Sequence, residues 1–411
     1  MVVLALVGVA PETGLAGAEF NPNGVKIFPV EGVAFTATVA NFTDPGAGKA
    51  TYKATIDWGD GSTSDGKLVS TGKDNANDVT GQHTYVEEGR YELKVIITGG
   101  SGGGEASPTA EVSDAPLTAK VAVPPVVEGG SPSGPIATFT DANTGAPLSD
   151  FTSTIDWGDG STSAGAIAKT GPGAFSVNGT HAYGEEGART VTVTVKDVGG
   201  STVTATQAIN VADAPLTAGG VLTRRGVEGR PLAGAAGTFH DGFAGATAAD
   251  YAPPTINWGD RTTSVGTISP APGGGWQVGG SHTYREEGSY TTSVVVNDRG
   301  GATVTLRGNA IIGDAPLRAR GLRISAHHSF RGVVATFTDA AGRFAKLSDH
   351  RATINWGDGH SSAGRIARSR GGFAVTGAHT YASPGLKHVT VSIRDQGGAR
   401  ATARSQVTVS A

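Results

Sequence analysis

The chain has 411 residues, 64 glycines, 20 prolines, no cysteine and a formal net charge of −4. The lack of cysteine excludes disulfides, thiolate zinc centres and cysteine nucleophiles, and no apolar run reaches the ~18 residues of a membrane-spanning helix. The charge is uneven: residues 315–411 carry 14 Lys/Arg against four Asp, whereas residues 1–314 carry 18 Lys/Arg against 32 Asp/Glu.

Residues 1–20 fall outside the pattern that governs the rest. Residues 2–10 are apolar and residues 15–18 read LAGA, but no positive charge precedes the apolar run as a signal peptide requires. The segment therefore reads as a truncated leader or the last strand of a preceding repeat. From residue 21 onward one unit recurs four times, over residues 21–114, 115–213, 214–314 and 315–411. Its most conspicuous stretch is TIDWGDGSTS at 55–64 and 154–163, returning as TINWGDRTTS at 255–264 and TINWGDGHSS at 353–362. Trp58, Trp157, Trp258 and Trp356 lie 99, 101 and 98 residues apart, the size of a small domain rather than of a solenoid repeat.

Each unit passes the same landmarks. A Glu-Gly pair (Glu31, Glu128, Glu228) precedes an alternating segment such as ATFTD at 137–141; the fourth unit has Ala326-His327 instead. Ile56 and Trp58 then alternate with Asp57, the period of a strand with one buried face. Gly59-Asp60-Gly61 tolerates positive φ and turns the chain back as a hairpin. Arg261 replaces the second glycine in the third unit, at an expected cost of about 1 kcal/mol if that position needs positive φ. Stretches such as 70–81 and 269–280 read as variable glycine-rich surface loops.

His-x-Tyr follows at His83/Tyr85, His181/Tyr183, His282/Tyr284 and His379/Tyr381, then a strand such as Val191-x-Val193-x-Val195 and an Asp-x-Gly-Gly turn. Asp-Ala-Pro-Leu links successive units at Asp114, Asp213 and Asp314; its proline fixes φ and holds the preceding alanine extended. Linkers this short imply a semi-rigid, monomeric rod, on the order of 150 Å if four sandwiches lie end to end.

The expected fold is all-β: four tandem immunoglobulin-like sandwiches, each built on a core Trp with a tyrosine corner before the penultimate strand. W-G-D-G, then H-x-Y, a glycine turn and V-x-V-x-V resemble the polycystic-kidney-disease (PKD) domain family over residues 21–411. Members carry W-D-F-G-D-G-S where this chain has D-W-G-D-G-S. The resemblance implies an extracellular or cell-surface, bacterial-type module used as spacer, adhesive unit or accessory to a secreted hydrolase.

The four Trp, four His and four Tyr are expected to be core residues. A hydrolase needs one site, not four copies of a fragment, and no G-x-S-x-G or H-E-x-x-H motif occurs. The chain therefore reads as non-enzymatic and without cofactor. Asp57, Asp60, Asp156 and Asp159 offer hard oxygen ligands and are weak calcium candidates, but Asn257 and Asn355 replace the first Asp in two units, and the spacing matches no calcium loop. Arg318, Arg320 and Arg323 at the entrance of the basic fourth unit, with Arg365, Arg368 and Arg370, are candidate contacts for anionic polymer such as cell-wall or envelope polysaccharide. A host or neighbouring surface protein is the other partner class. Nucleic acid is disfavoured because few aromatics interleave with those charges.

Overall fold

Alternation of apolar and polar residues sets the fold. Val191, Val193 and Val195 turn inward and are fully buried while Thr192 and Thr194 face outward, so one face of each strand is driven into a shared interior. The computed structural model describes residues 20–411 apart from 46–48, 73, 74, 101 and 133. The leader assigned to residues 1–20 lies outside the described residues except for Phe20, whose ring packs on Phe42 at 5.1 Å. Among the described residues there is no α-helix, only three short 3-10 turns between strands, and no helix is long and apolar enough to cross a membrane.

The second repeat shows the plan. One sheet orders the strands Leu117–Val121, Pro135–Asp141, Ala174–Asn178 and Ala166–Gly171. The facing sheet orders Val126–Val127, Thr202–Ala212, Gly187–Asp197, Phe151–Asp156 and Thr162–Ala164. The third repeat repeats both sheets, with Leu222–Val227 running parallel to Thr303–Gly313. In the first and fourth repeats a single long strand, Thr63–Ser70 or Ser361–Ser369, pairs with one sheet through its first half and the other through its second. That strand breaks at Gly165 and Gly266 in the middle repeats.

Four separate hydrophobic clusters lie between the paired sheets, each holding one motif Trp and one motif Tyr. The chain is thus an all-β protein of four tandem sandwiches. It forms two compact units, Met1–Val211 and Ala212–Ala411, with two sandwiches in each.

The stretches 70–81 and 269–280 are surface loops only in part. Their last five residues, 77–81 and 276–280, belong to the core strands Asn77–His83 and Trp276–Thr283, and the connecting turns precede them. The last glycine of each stretch permits close approach: a Cβ on Gly81 would sit 2.7 Å from the Trp58 ring, and Gly280, like Gly179 and Gly377, packs the same way.

Candidate functional site

The Trp turn is the same construction four times. Trp58, Trp157, Trp258 and Trp356 are at most 1% exposed. Each indole N–H donates to a serine Oγ six residues on, Ser64, Ser163, Ser264 or Ser362, at 3.0 Å. Asp57 Oδ1 accepts the N–H of Gly59, and Asn257 and Asn355 Oδ1 do the same for Gly259 and Gly357. The position needs an oxygen acceptor, not a charge, so Asp and Asn interchange there. Asp60 Oδ1 accepts both the N–H and the hydroxyl of Ser62. Gly61, Gly160 and Gly359 take φ near 90°, and Arg261 is held at φ 70° in the same place.

The histidine closes the turn from the far side of the sandwich. His83, His181, His282 and His379 each bring Nε2 within 2.6–2.8 Å of Oδ2 of Asp60, Asp159, Asp260 and Asp358. Their rings stack on the Trp at 4.6–5.1 Å, nearly parallel. The motif Tyr stands edge-on to the His. Tyr85, Tyr183 and Tyr284 donate their hydroxyls to the carbonyl oxygens of Trp58, Trp157 and Trp258 at 2.9–3.1 Å. Tyr381 departs: its buried hydroxyl has no protein partner.

A serine, histidine and aspartate therefore meet in the first two repeats, but not in the order of a nucleophilic triad. Such a triad spends one imidazole nitrogen on the carboxylate and the other on the hydroxyl. Here the Ser161 hydroxyl donates to Asp159 Oδ1 at 2.6 Å, and its only approach to His181 is to Nε2, the nitrogen already facing Asp159. Burial opposes charge on Asp159, yet the Ser161 and His181 hydrogen bonds outweigh it and lower its pKa to about 2. The His379 hydrogen bond lowers Asp358 to about 2. Carboxylates held this acidic lock a turn and are poor proton carriers near neutrality.

The four calcium candidates are taken up by these bonds. Asp57 and Asp156 cap the glycine N–H, Asp60 and Asp159 hold the His. The all-carboxylate groups that do converge are Glu31 with Glu87 and Glu88, and Glu228 with Glu287 and Asp314. The six arginines divide. Arg318 and Arg320 on Leu317–Gly321 and Arg365 on Ser361–Ser369 are exposed on the outer face of one sheet, with Arg370 in the adjoining turn. Arg323 lies apart, joining Arg320, Arg404 and His388 around a cleft of about 610 Å³. Arg368 is not a free surface cation: its guanidinium donates to the Ala345 carbonyl and covers the Phe373 ring. Lys169 makes the same two contacts in the second repeat, so this position closes the core.

Sequence reasoning missed two sets of residues. Buried Glu31 and Glu228 accept the N–H of Ala115 and Ala315, the linker alanines. Asp114, Asp213 and Asp314 of the linkers accept a backbone N–H from the Asp-x-Gly-Gly turn of the following sandwich. The recurrence of Glu-Gly and Asp-Ala-Pro-Leu at a spacing of 83 to 86 residues was the available signal. The second set is an arginine row. Arg351 stands opposite Arg394, and Arg394 opposite Arg400, on three neighbouring strands. All three are exposed.

No protein-family model matches the chain, and neither does any curated protein. Among solved structures it is similar to a tetra-tandem repeat from the extending region of a large adhesion protein, at 13% identity and a TM-score of 0.45, over 95% of this chain and 100% of that one. It is also similar to extracellular cadherin domains 3–6 of protocadherin gamma B2, at 12% identity and a TM-score of 0.26, over 96% and 99%. The human desmocollin-1 ectodomain aligns at 14% identity and a TM-score of 0.26, over 95% and 80%.

Proposed function

We propose that the chain is a non-enzymatic array of four PKD-type sandwiches, divided at residues 21–114, 115–213, 214–314 and 315–411. It serves outside the cell or on its surface as stalk or adhesin, and its fourth sandwich contacts an anionic polymer such as an envelope polysaccharide. The four sandwiches share their interior chemistry and differ on their exposed faces.

The observation that carries the contact is the Arg351–Arg394–Arg400 row. Side chains directly opposite on neighbouring strands lie about 5 Å apart, and like charges there are destabilising. Among the described residues none of the three forms an ion pair with a carboxylate. The same places hold Lys53, Thr98 and Gly103 in the first repeat and Thr152, Lys196 and Thr202 in the second, a single cation each. A polyanion laid across the row relieves the repulsion, and the Arg318, Arg320 and Arg365 face adds to the attraction.

The test is a pull-down of the intact chain and of residues 315–411 against purified envelope polysaccharides at two salt concentrations. Salt-sensitive retention of both is expected. Retention of the intact chain alone, or none at all, would sink the assignment to the fourth sandwich.

A further inference from the structure

A second cluster of charge lies where the first two sandwiches meet, within the unit Met1–Val211, and it is wholly acidic. Glu31, Glu87 and Glu88 bring carboxylate oxygens within 4.8 Å of one another. Asp114 is adjacent: a Cβ on Gly199 would touch both its carboxyl and that of Glu88, at 2.7 and 2.8 Å. Gly32, next to Glu31, packs on the backbone of Asn143, two residues from Asp141, and Asn143 Nδ2 donates to the Val86 carbonyl beside Glu87. Among the described residues no Lys, Arg or His pairs with any of these five carboxylates.

Asp141 is only 4% exposed, and its Oδ2 has no hydrogen-bond partner; a buried oxygen of Asp114 is likewise orphaned. Comparison of the four repeats explains why. The matching Asp is served from the segment that leads to the Trp by Tyr52 in the first repeat, Tyr251 in the third and His350 in the fourth, each reaching Oδ2 at 2.7–3.0 Å. The second repeat places Phe151 there, which has nothing to donate. The corresponding junction of the other unit gathers Glu228, Glu287 and Asp314, with an orphaned oxygen on Asp314, but it contains its own cations. Lys346 pairs with Glu286, and His350 sits between Asp339 and Asp395.

We propose that a hard divalent cation of the Ca²⁺ class binds at the junction of the first two sandwiches, held by Glu31, Glu87, Glu88 and Asp114 with Asp141 completing the oxygen set. Carboxylate-rich sites of six to eight oxygens are what Ca²⁺ takes, and a buried carboxylate is costly unless paired or metal-bound. The ligands come from both sandwiches, so the cation couples them.

The experiment titrates Ca²⁺ into the chelator-treated full chain by calorimetry and follows thermal melting with and without the ion. Binding and a raised first transition are expected. The Glu87→Gln/Glu88→Gln double variant, altered in a turn at the surface, should melt like the wild type in chelator yet lose at least about tenfold in affinity. Phe151→Tyr removes no carboxylate and restores the donor found in the first and third repeats; it should weaken binding by several-fold. No binding up to roughly 10 mM, above the range of extracellular calcium modules, or equal binding by the double variant, overturns the site. An unweakened Phe151→Tyr chain overturns the part assigned to Asp141.

Discussion

At the scale of single residues, the Trp turn shows what each side chain contributes. A buried Trp withdraws about 150–250 Å² from water, and its removal typically costs about 3–5 kcal/mol. Trp157→Ala should therefore lower the unfolding midpoint of its sandwich in denaturant by that amount, whereas an unchanged midpoint would refute the core assignment. Arg261 sits at φ 70° where three repeats have glycine, so Arg261→Gly should stabilise the third sandwich by up to about 1 kcal/mol in the same assay. Asp159 and Asp358 titrate near 2 when folded, against an ordinary 3.8. A lowered carboxyl pKa contributes stability that is present above the ordinary value and lost as pH falls through the folded one. Melting temperatures should accordingly drop between about pH 4 and pH 2. The Trp, His and Tyr were legible because each lies within a short recurring motif. The bond from His to the turn Asp spans about 22 residues and could be anticipated only from the constancy of that interval.

At the scale of strands and junctions, one position decides much. The residue that opens the segment leading to the Trp packs on a core Phe, beside the Asp that follows it, and it is Tyr52, Phe151, Tyr251 or His350 in turn. Burial opposes charge on His350, but the Asp339 hydrogen bond and the Asp395 charge prevail and raise its pKa above 6.5. Stability from a raised histidine pKa is complete below the ordinary value and is lost as pH rises through the folded one. The fourth sandwich should therefore weaken on the alkaline side of 6.5, and His350→Phe, which copies the second repeat, should flatten that dependence in thermal melts. Glu31 behaves alike in sign: raised by burial to about 7 from 4.5, it favours the fold below 4.5 and ceases to as pH climbs past 7. Strand alternation was readable from the sequence, and so were the turns at Gly59-Asp60-Gly61. The strands within 70–81 and 269–280 were hidden because glycine signals a loop by composition, whereas here it admits the Trp ring. The Glu-Gly and Asp-Ala-Pro-Leu landmarks were visible, but their mutual bonding depends on chain ends some 84 residues apart.

At the scale of the whole molecule, four interiors are nearly interchangeable and the surfaces are not. Each sandwich repeats the Trp, Ser, Asp, His and Tyr cluster, while charge runs from an acidic first junction to a fourth sandwich with 14 Lys/Arg and four Asp. The compositional excess was plain in the sequence. Its focus on Arg351, Arg394 and Arg400 was not, because residues 43 and six positions apart become neighbours only through strand register. Surface attraction of this kind is long-ranged, and it is screened beyond about 10 Å at 0.1 M salt. The measurement that bears most directly on this division between a structural interior and a binding exterior is the affinity of the full chain for a linear anionic polysaccharide across a salt series. It should be run on the wild type beside the Arg351→Gln/Arg394→Gln/Arg400→Gln variant. Wild-type binding that weakens steadily with salt, and a variant weaker by about tenfold or more at low salt, is the expected result. Equal binding by the variant, or wild-type binding indifferent to salt, would contradict it.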